Sequence, residues 1–134
     1  MIYGVGVDLI EIARIDASWR RFGERFAARV LGPNERQRFD QRRARSQARG
    51  MAFLATRFAA KEAISKALRL GMRSPMSWRT VEILNAPSGR PVVATHGALA
   101  DFVAQHRLLL HISVSDEREM AIAYAIAEVQ HEER

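Results

Sequence analysis

The stretch FLATRFAAKEAISKAL, residues 53–68, decides the fold because it is the strongest helix signal in the chain. Its large apolar residues recur at helical spacing, and the five alanines between them permit close packing against a neighbouring element. We predict a helix over residues 51–70, because Gly71 and the Ser74-Pro75 pair beyond it are stop signals. The apolar anchors of this helix are Leu54, Phe58, Ile64 and Leu68.

The N-terminal residues 2–8, IYGVGVD, alternate in the manner of a β-strand. Gly4 and Gly6 fall on one face, where they permit another part of the backbone to approach closely. Asp8 ends the run. Its carboxylate is a candidate ligand position, although a helix or turn cap explains a single aspartate about equally well.

Two helices are predicted between this strand and the helix at 51–70. The first covers residues 17–31, with Asp16 or Ser18 as its cap. The second runs from Glu35 to about Ser46, is nearly all polar, and is capped by Asn34. The expected apolar contacts of the two helices are Trp19, Phe22, Phe26, Val30 and Phe39.

The remaining sequence predicts two hairpins separated by a short helix, and no repeat or linker divides it. The fold class is therefore α+β: a small, mostly antiparallel sheet with helices packed on one face, forming a single domain over residues 1–134. The predicted elements are strands at 80–84 and 90–95, a helix at 97–106, strands at 108–115 and 120–129, and a frayed tail at 131–134.

Composition excludes several classes of protein. At 134 residues with 48% apolar residues, the chain has the size and composition of one globular domain. It contains no cysteine, which excludes disulfide scaffolds, thiolate metal sites and cysteine nucleophiles. No apolar run is long enough to span a membrane, and the N-terminus lacks the basic region of a signal peptide. A cytoplasmic protein without a membrane partner is the default expectation.

Positive charge is concentrated in one third of the chain. Residues 14–49 hold eleven arginines and four acidic residues, a balance of +7 within a total of +6. Arg21, Arg25 and Arg29 follow each other at helical i, i+4 spacing, which places three guanidinium groups on one ridge. The segment suits an acidic macromolecular partner, or it is simply a solvated face.

No P-loop, zinc-protease, hydrolase or EF-hand motif is present. The remaining candidates for a chemical role are two carboxylates, one of which has basic residues close by in sequence. Asp8 and Glu62 suit a hard cation such as Mg²⁺, which keeps several waters and is completed by phosphate. Arg57, Lys61 and Lys66 could then neutralise other phosphate oxygens. The simpler interpretation of Glu62 and Lys66 is a surface i, i+4 salt bridge.

Several motifs in order along the chain resemble the holo-acyl-carrier-protein synthases, the small bacterial 4′-phosphopantetheinyl transferases. The pairing of Gly6-x-Asp8 and Arg14 with the later run RFAAKEA is specific, and the likeness extends almost end to end. The motifs are GVGVDLIEIARI (4–15), RVLGPNE (29–35), FLATRFAAKEAISKAL (53–68), SGRP (88–91) and HISVSDEREMAIAYAI (111–126).

The resemblance implies a Mg²⁺-dependent homotrimer that moves the 4′-phosphopantetheine of coenzyme A onto a serine of acyl carrier protein, supporting fatty acid biosynthesis. Adenosine 3′,5′-bisphosphate is the released product, and the active sites lie between subunits. The matching positions are Asp8 and Glu62 as metal ligands and catalytic residues with Lys66, Arg57 and Lys66 near the coenzyme phosphates, Gly89 and Pro91 near the adenine, and Arg14, Arg25 and Arg29 at the carrier protein.

Two departures from the family pattern and two rival functions stay open. Arg69 stands where many relatives have glycine, and it could either contact a phosphate or point to solvent. Asp116 stands where many relatives have histidine, so the contact of that histidine with the coenzyme does not carry over. Glu62 or a metal-bound water could take the serine proton.

The main rival is a nucleic-acid-binding protein, which the pI of about 10.9 permits but no binding motif supports. A catalytically inactive relative acting as a binding module is the third interpretation.

Overall fold

The structure, a computed structural model, describes residues 1–131, so that the last three residues of the predicted tail lie outside the described part. Five helices and five strands occur there, and every strand pair is antiparallel, which confirms the α+β prediction. The elements are β1 (Ile2–Glu11), α1 (Ile12–Phe22), α2 (Glu24–Val30), α3 (Pro33–Arg45), α4 (Gln47–Ala67), β2 (Val81–Asn85), β3 (Pro91–Thr95), α5 (Gly97–Gln105), β4 (Leu108–Asp116) and β5 (Met120–Val129).

A three-stranded sheet in the order β1-β5-β4 packs one face against α4. The packed face is made of very small residues, since β5 contributes four alanines and β1 contributes Gly4 and Gly6. A Cβ atom added to Gly4 or Gly6 would overlap the carbonyl oxygen of Ala67 or Ala63 of α4. The glycines therefore let helix and strand approach to backbone contact. The four alanines of β5 are Ala121, Ala123, Ala125 and Ala127.

A separate two-stranded sheet, β2–β3, packs beside α3 and α4, and α5 connects it to β4. Val81 and Ile83 of β2 are buried, as are Leu99 of α5 and Met76 of the loop before β2. Within residues 1–131 no helix is both long and apolar enough to cross a membrane. The hydrophobic core is therefore built around α4, which packs against both sheets and against the helices α1 to α3.

The predicted helix over residues 17–31 is wrong at its start and in its middle. Helix α1 already begins at Ile12, directly after β1 and without a side-chain cap, so neither Asp16 nor Ser18 is the cap. Gly23 has φ of +58°, a conformation that glycine tolerates, and this residue separates α1 from α2. As a result Phe22 is 48% exposed at the corner and does not belong to a buried stripe.

Smaller corrections concern the neighbouring elements. Strand β1 continues to Glu11, so Asp8 lies inside the strand and does not end it. Helix α3 begins at Pro33 after Gly32, and Asn34 is not its cap. Helix α4 begins at Gln47, earlier than predicted, because the Ser46 hydroxyl accepts a hydrogen bond from the Arg49 backbone N–H.

Candidate active site

The small residues of β1 determine where Asp8 lies. Side chains alternate along a strand, so Asp8 lies on the same face as Gly4 and Gly6, the face that α4 covers. The Asp8 side chain is 19% exposed and therefore stands at the border between core and solvent. Strand β1 thus delivers one carboxylate to the flank of α4.

Helix α4 brings Glu62 and Lys66 to the same place. Lys66 Nζ donates a hydrogen bond to the Val7 carbonyl oxygen at 2.9 Å and lies 3.4 Å from Asp8 Oδ1. Burial raises the pKa of Glu62, the charge of Asp8 raises it further, and Lys66 opposes both effects. The ammonium of Lys66 therefore pairs with Asp8 across the two elements, where the sequence alone favoured an i, i+4 pair with Glu62.

The three groups form a small mixed-charge site that suits a hard cation. Two carboxylates close enough to perturb one another have a reason to share a divalent cation, because the metal removes their repulsion. Oxygen ligands fit Mg²⁺, and a pair of protein carboxylates leaves coordination positions for water and phosphate. Among residues 1–131 no group of three or more acidic or histidine side chains competes as a metal site.

Lys61 occupies a different place from the one predicted. Its side chain is 0% exposed, and Nζ donates to the carbonyl oxygens of Val30 (2.5 Å) and Trp78 (2.7 Å) and to Glu35 Oε1 (2.6 Å). An ammonium carries three protons, and all three are used here. The structure therefore gives Lys61 a position in the core in place of the expected contact with a coenzyme phosphate.

Arg57 is also more enclosed than expected. It is 5% exposed, and it donates to the Ile83 carbonyl oxygen, to Thr56 Oγ1 and to Asn85 Oδ1. Burial lowers the pKa of Arg57 to about 10, an effect that Glu35 opposes and the nearby arginines of α3 reinforce. Its guanidinium group thus lies in the interface between α4 and β2, where one edge faces Asn85.

Asn85 connects Arg57 to the turn that carries Gly89 and Pro91. The Asn85 amide donates to the Gly89 carbonyl oxygen at 3.0 Å while its Oδ1 accepts from Arg57. Gly89 is exposed, with φ of +91°, and Pro91 is the first residue of β3. Gly89 therefore lies in the exposed β2–β3 turn, which Asn85 ties to Arg57 of α4, and the half-buried Pro91 follows where β3 begins.

The three predicted docking arginines are all exposed, but they do not share one helix. Arg14 is on α1, whereas Arg25 and Arg29 are on α2, beyond the break at Gly23. The predicted ridge of Arg21, Arg25 and Arg29 is therefore interrupted. What the structure retains is a solvent-facing basic surface on two consecutive helices.

Sequence reasoning missed two buried acids and an arginine-lined cleft. Glu35 and Glu82 are 0% and 1% exposed, and neither stands in a pattern that distinguishes it from a surface glutamate. The cleft has a volume of about 660 Å³ and lies where α3 meets α4. From the sequence, its arginines could be recognised only as part of the excess positive charge of residues 14–49. The cleft is lined by Arg38, Gln41, Arg42, Ala44, Arg45 and Arg49.

The two departures from the family pattern also have definite places. Arg69 has φ of +63°, donates to the Tyr3 carbonyl oxygen, and stacks its guanidinium 4.5 Å from the Tyr3 ring centre. It therefore fastens the end of α4 to β1 and does not point freely to solvent. Asp116 is exposed at the end of β4, opposite Ala121.

Comparisons with known proteins agree with one another. A family model described as the 4′-phosphopantetheinyl transferase superfamily matches residues 4–125. The holo-[acyl-carrier-protein] synthase of Leptothrix cholodnii is 57% identical over 130 residues, covering 97% of this chain and 98% of its own. That of Ralstonia nicotianae is 57% identical over 129 residues, covering 96% and 94%.

Solved structures give the same result. The synthase of Neisseria meningitidis has a TM-score of 0.88 at 35% identity, covering 96% of this chain and 99% of its own. The synthase of Bacillus anthracis, solved in complex with CoA (3′,5′-ADP), has a TM-score of 0.78 at 33% identity, covering 97% and 99%. Matches of this length and identity show the family as well as the fold. The chain is therefore a member of the 4′-phosphopantetheinyl transferase superfamily and belongs, within it, to the holo-[acyl-carrier-protein] synthases.

Proposed function

We propose that this chain transfers the 4′-phosphopantetheine of coenzyme A to a serine of apo-acyl carrier protein and releases adenosine 3′,5′-bisphosphate. The observation that carries the proposal is the meeting of Asp8, Glu62 and Lys66 at the border of β1 and α4. Family membership supports it, since relatives of the same length carry the name of this activity. We place the enzyme in the cytoplasm, in support of fatty acid biosynthesis, as one domain over residues 1–134.

Asp8 and Glu62 are the residues that would hold Mg²⁺. When bound, the ion supplies charge neutralisation for the pyrophosphate of coenzyme A. Lys66, whose side chain is 51% exposed, adds a mobile positive charge beside the same phosphates. Serine attack on the β-phosphate accumulates negative charge there, so these cations stabilise the transition state more than the ground state.

The attacking hydroxyl belongs to the carrier protein, so the enzyme needs a base but no nucleophile of its own. The candidates for this base are a carboxylate oxygen of Glu62 that does not hold the ion and a water molecule at the site. The proton leaves serine as the oxygen–phosphorus bond forms, and the bond between phosphorus and the bisphosphate leaving group breaks.

The exposed arginines of α1 and α2 are the proposed docking surface for the carrier protein. Arg14, Arg25 and Arg29 are exposed, and they belong to the segment 14–49, where positive charge is concentrated along the sequence. Acyl carrier proteins are acidic, so a basic surface attracts them and orients the encounter.

A homotrimer is the proposed assembly. Over β1 and β5, the face of the three-stranded sheet that points away from α4 is apolar, and its large side chains are between 41 and 61% exposed. Strand β4 adds His111, Ser113 and Ser115 to the same face. A contiguous patch of this kind marks an interaction surface. Partner subunits on this face would place active sites between neighbours. The residues concerned are Val5, Val7, Leu9, Ile122 and Tyr124.

Intact mass spectrometry tests the activity directly. Apo-carrier protein, coenzyme A and Mg²⁺ are incubated with the enzyme, and the carrier should gain the mass of one phosphopantetheine only when all components are present. A chain that leaves the carrier unmodified while shifting generic DNA in a salt-dependent manner would favour the nucleic-acid-binding alternative. A chain that binds the carrier without modifying it would favour an inactive binding module.

A further inference from the structure

Three charged side chains are buried together beside α4, and they form what we name the buried ion cluster: Glu35, Lys61 and Glu82. Their exposed fractions are 0%, 0% and 1%. Placing charges in the interior costs free energy that pairing recovers only when the geometry is good, and apolar residues of similar size often stabilise a fold as well. The presence of the cluster therefore calls for a reason other than stability.

Lys61 ties three separate segments to α4. Its Nζ holds the carbonyl oxygen of Val30 at the end of α2, the carboxylate of Glu35 in the first turn of α3, and the carbonyl oxygen of Trp78 in the loop before β2. Glu35 extends the connection, since Oε1 also accepts from the Gly32 N–H and Oε2 accepts from the Ile83 N–H. The end of α2 consequently has a fixed position relative to α4.

Glu82 holds the start of α3 from a distant part of the chain. Its carboxylate accepts backbone hydrogen bonds from Asn34 and Glu35, the first free N–H groups of α3, and a further bond from the Asn34 amide. These groups are the ones that a helix leaves unpaired at its N-terminus. Gly32 makes room, because a Cβ atom there would lie 2.6 Å from the Glu82 carboxylate.

The cluster joins the two parts of the proposed active site. Val30 directly follows Arg29 of the docking surface, and Lys61 directly precedes Glu62 of the metal site. We propose that the buried ion cluster is a positioning device, which sets the direction from the docking helix α2 to Glu62 and thereby where the carrier serine meets the coenzyme phosphate. Lys61 acts through the backbone of α2 and is a positioning residue. The inference rests on the proposed transfer activity.

The test separates positioning from stability and from damage to the metal site. Lys61→Met keeps the length of the side chain and removes the ammonium, while Gly32→Ala displaces Glu82 and leaves all three charges in place. In both variants kcat should fall by roughly tenfold to a hundredfold, because small misplacements are costly in catalysis. The KM for carrier protein, the KM for coenzyme A and the Mg²⁺ concentration for half-maximal rate should stay at wild-type values.

Leu108→Ala is the matched control. Leu108 is buried in β4, and within the described residues no strand of the three-stranded sheet is hydrogen-bonded to the cluster. This variant should lower Tm and leave kcat unchanged at temperatures where it is folded. Cluster variants that lose Tm but keep the wild-type kcat would overturn the proposal in favour of stability alone. A changed KM for coenzyme A or Mg²⁺ requirement would overturn it in favour of an effect on the metal site. If Lys61→Met does not fold, Gly32→Ala decides, and a wild-type enzyme without transfer activity would refute the proposed function instead.

Discussion

At the scale of single residues, three charged side chains of α4 that lie close together in sequence have different surroundings in the fold. Lys66 is exposed and pairs with Asp8, Glu62 is partly buried, and Lys61 is enclosed. Successive helical residues point about 100° apart, so adjacent positions of one motif face different surroundings. The chemistry of the site therefore depends on which face of α4 meets β1.

Asp8→Asn and Glu62→Gln should each lower kcat/KM for transfer at least about 100-fold, equivalent to about 2.7 kcal/mol of lost transition-state stabilisation. Each change keeps the size of the side chain and removes the charge that binds a hard cation. Circular dichroism should show the wild-type fold. Glu11→Gln, on the same strand and exposed, is the control and should stay active. Normal turnover by both variants would place the metal site elsewhere.

Arg69→Gly should be more stable than Arg69→Ala by about 1 kcal/mol, because glycine adopts a left-handed conformation without the penalty that a Cβ atom brings. Both variants lose the same guanidinium contacts with Tyr3, so the comparison isolates the backbone at φ of +63°. Urea denaturation measures the difference. An alanine variant as stable as the glycine variant would contradict it.

The sequence predicted Asp8 and Glu62 as site residues, and the structure brings them close together, but the sequence did not place Lys61. Motif spacing identifies residues on one strand and one helix, whereas the partners of Lys61 come from positions 26 and 17 residues away in sequence. Glu35 and Glu82 could not be recognised for the same reason, since burial of a glutamate depends on segments 47 residues apart. The roles of the predicted coenzyme and docking residues stay predictions.

At the scale of elements, glycine and alanine decide how the sheet meets its helix. Gly6 allows β1 to lie against the backbone of α4, while β5 presents only alanines to the same helix. The alternation of residues 2–8 predicted β1 except for its end, and the apolar run at 120–129 predicted β5 with its observed bounds. The break at Gly23 and the uncapped start of α1 were not predictable, because the signals at Asp16 and Ser18 pointed to a later start.

Gly6→Ala should destabilise the protein by about 3 kcal/mol, the upper end for overpacked cores, because the added methyl group would overlap the backbone carbonyl oxygen of Ala63. Gly97→Ala is the comparison, since Gly97 has open space around it and only its φ of +55° opposes a side chain. Thermal and urea unfolding should rank the two variants. Equal losses of stability would show that β1 and α4 can separate to make room.

Reversing Arg25 and Arg29 of α2 to glutamate should raise the carrier KM roughly tenfold and leave the coenzyme A KM unchanged, because exposed charges act mainly on association. The salt dependence of kcat/KM should also flatten, since screening has less attraction to remove. Reversing Arg38 and Arg45 of α3 gives the same net charge and should have a smaller effect on carrier KM. Superimposable salt profiles for wild type and the α2 variant would remove the docking role.

At the scale of the whole molecule, the proposed trimer depends on the uncovered sheet face. Light scattering should give the mass of three chains at micromolar concentration. Leu9→Asp, which places a charge on the most exposed of the sheet-face residues Val5, Val7, Leu9, Ile122 and Tyr124, should give a folded monomer, because burying an unpaired carboxylate opposes association. A monomeric wild-type protein would contradict the trimer.

The order of the strands in the main sheet has a consequence for synthesis. The central strand β5 is the last of the described strands to leave the ribosome, and its neighbour β1 is the first, so the paired Glu11 and Met120 are 109 positions apart in the chain. Contacts between residues so distant in sequence form slowly. Asp8 and the helix that carries Glu62 are synthesised early. The sheet that holds Asp8 nevertheless lacks its central strand until residues 120–129 have been translated. A nascent chain halted before that point would present β1 and α4 to chaperones as exposed apolar surfaces.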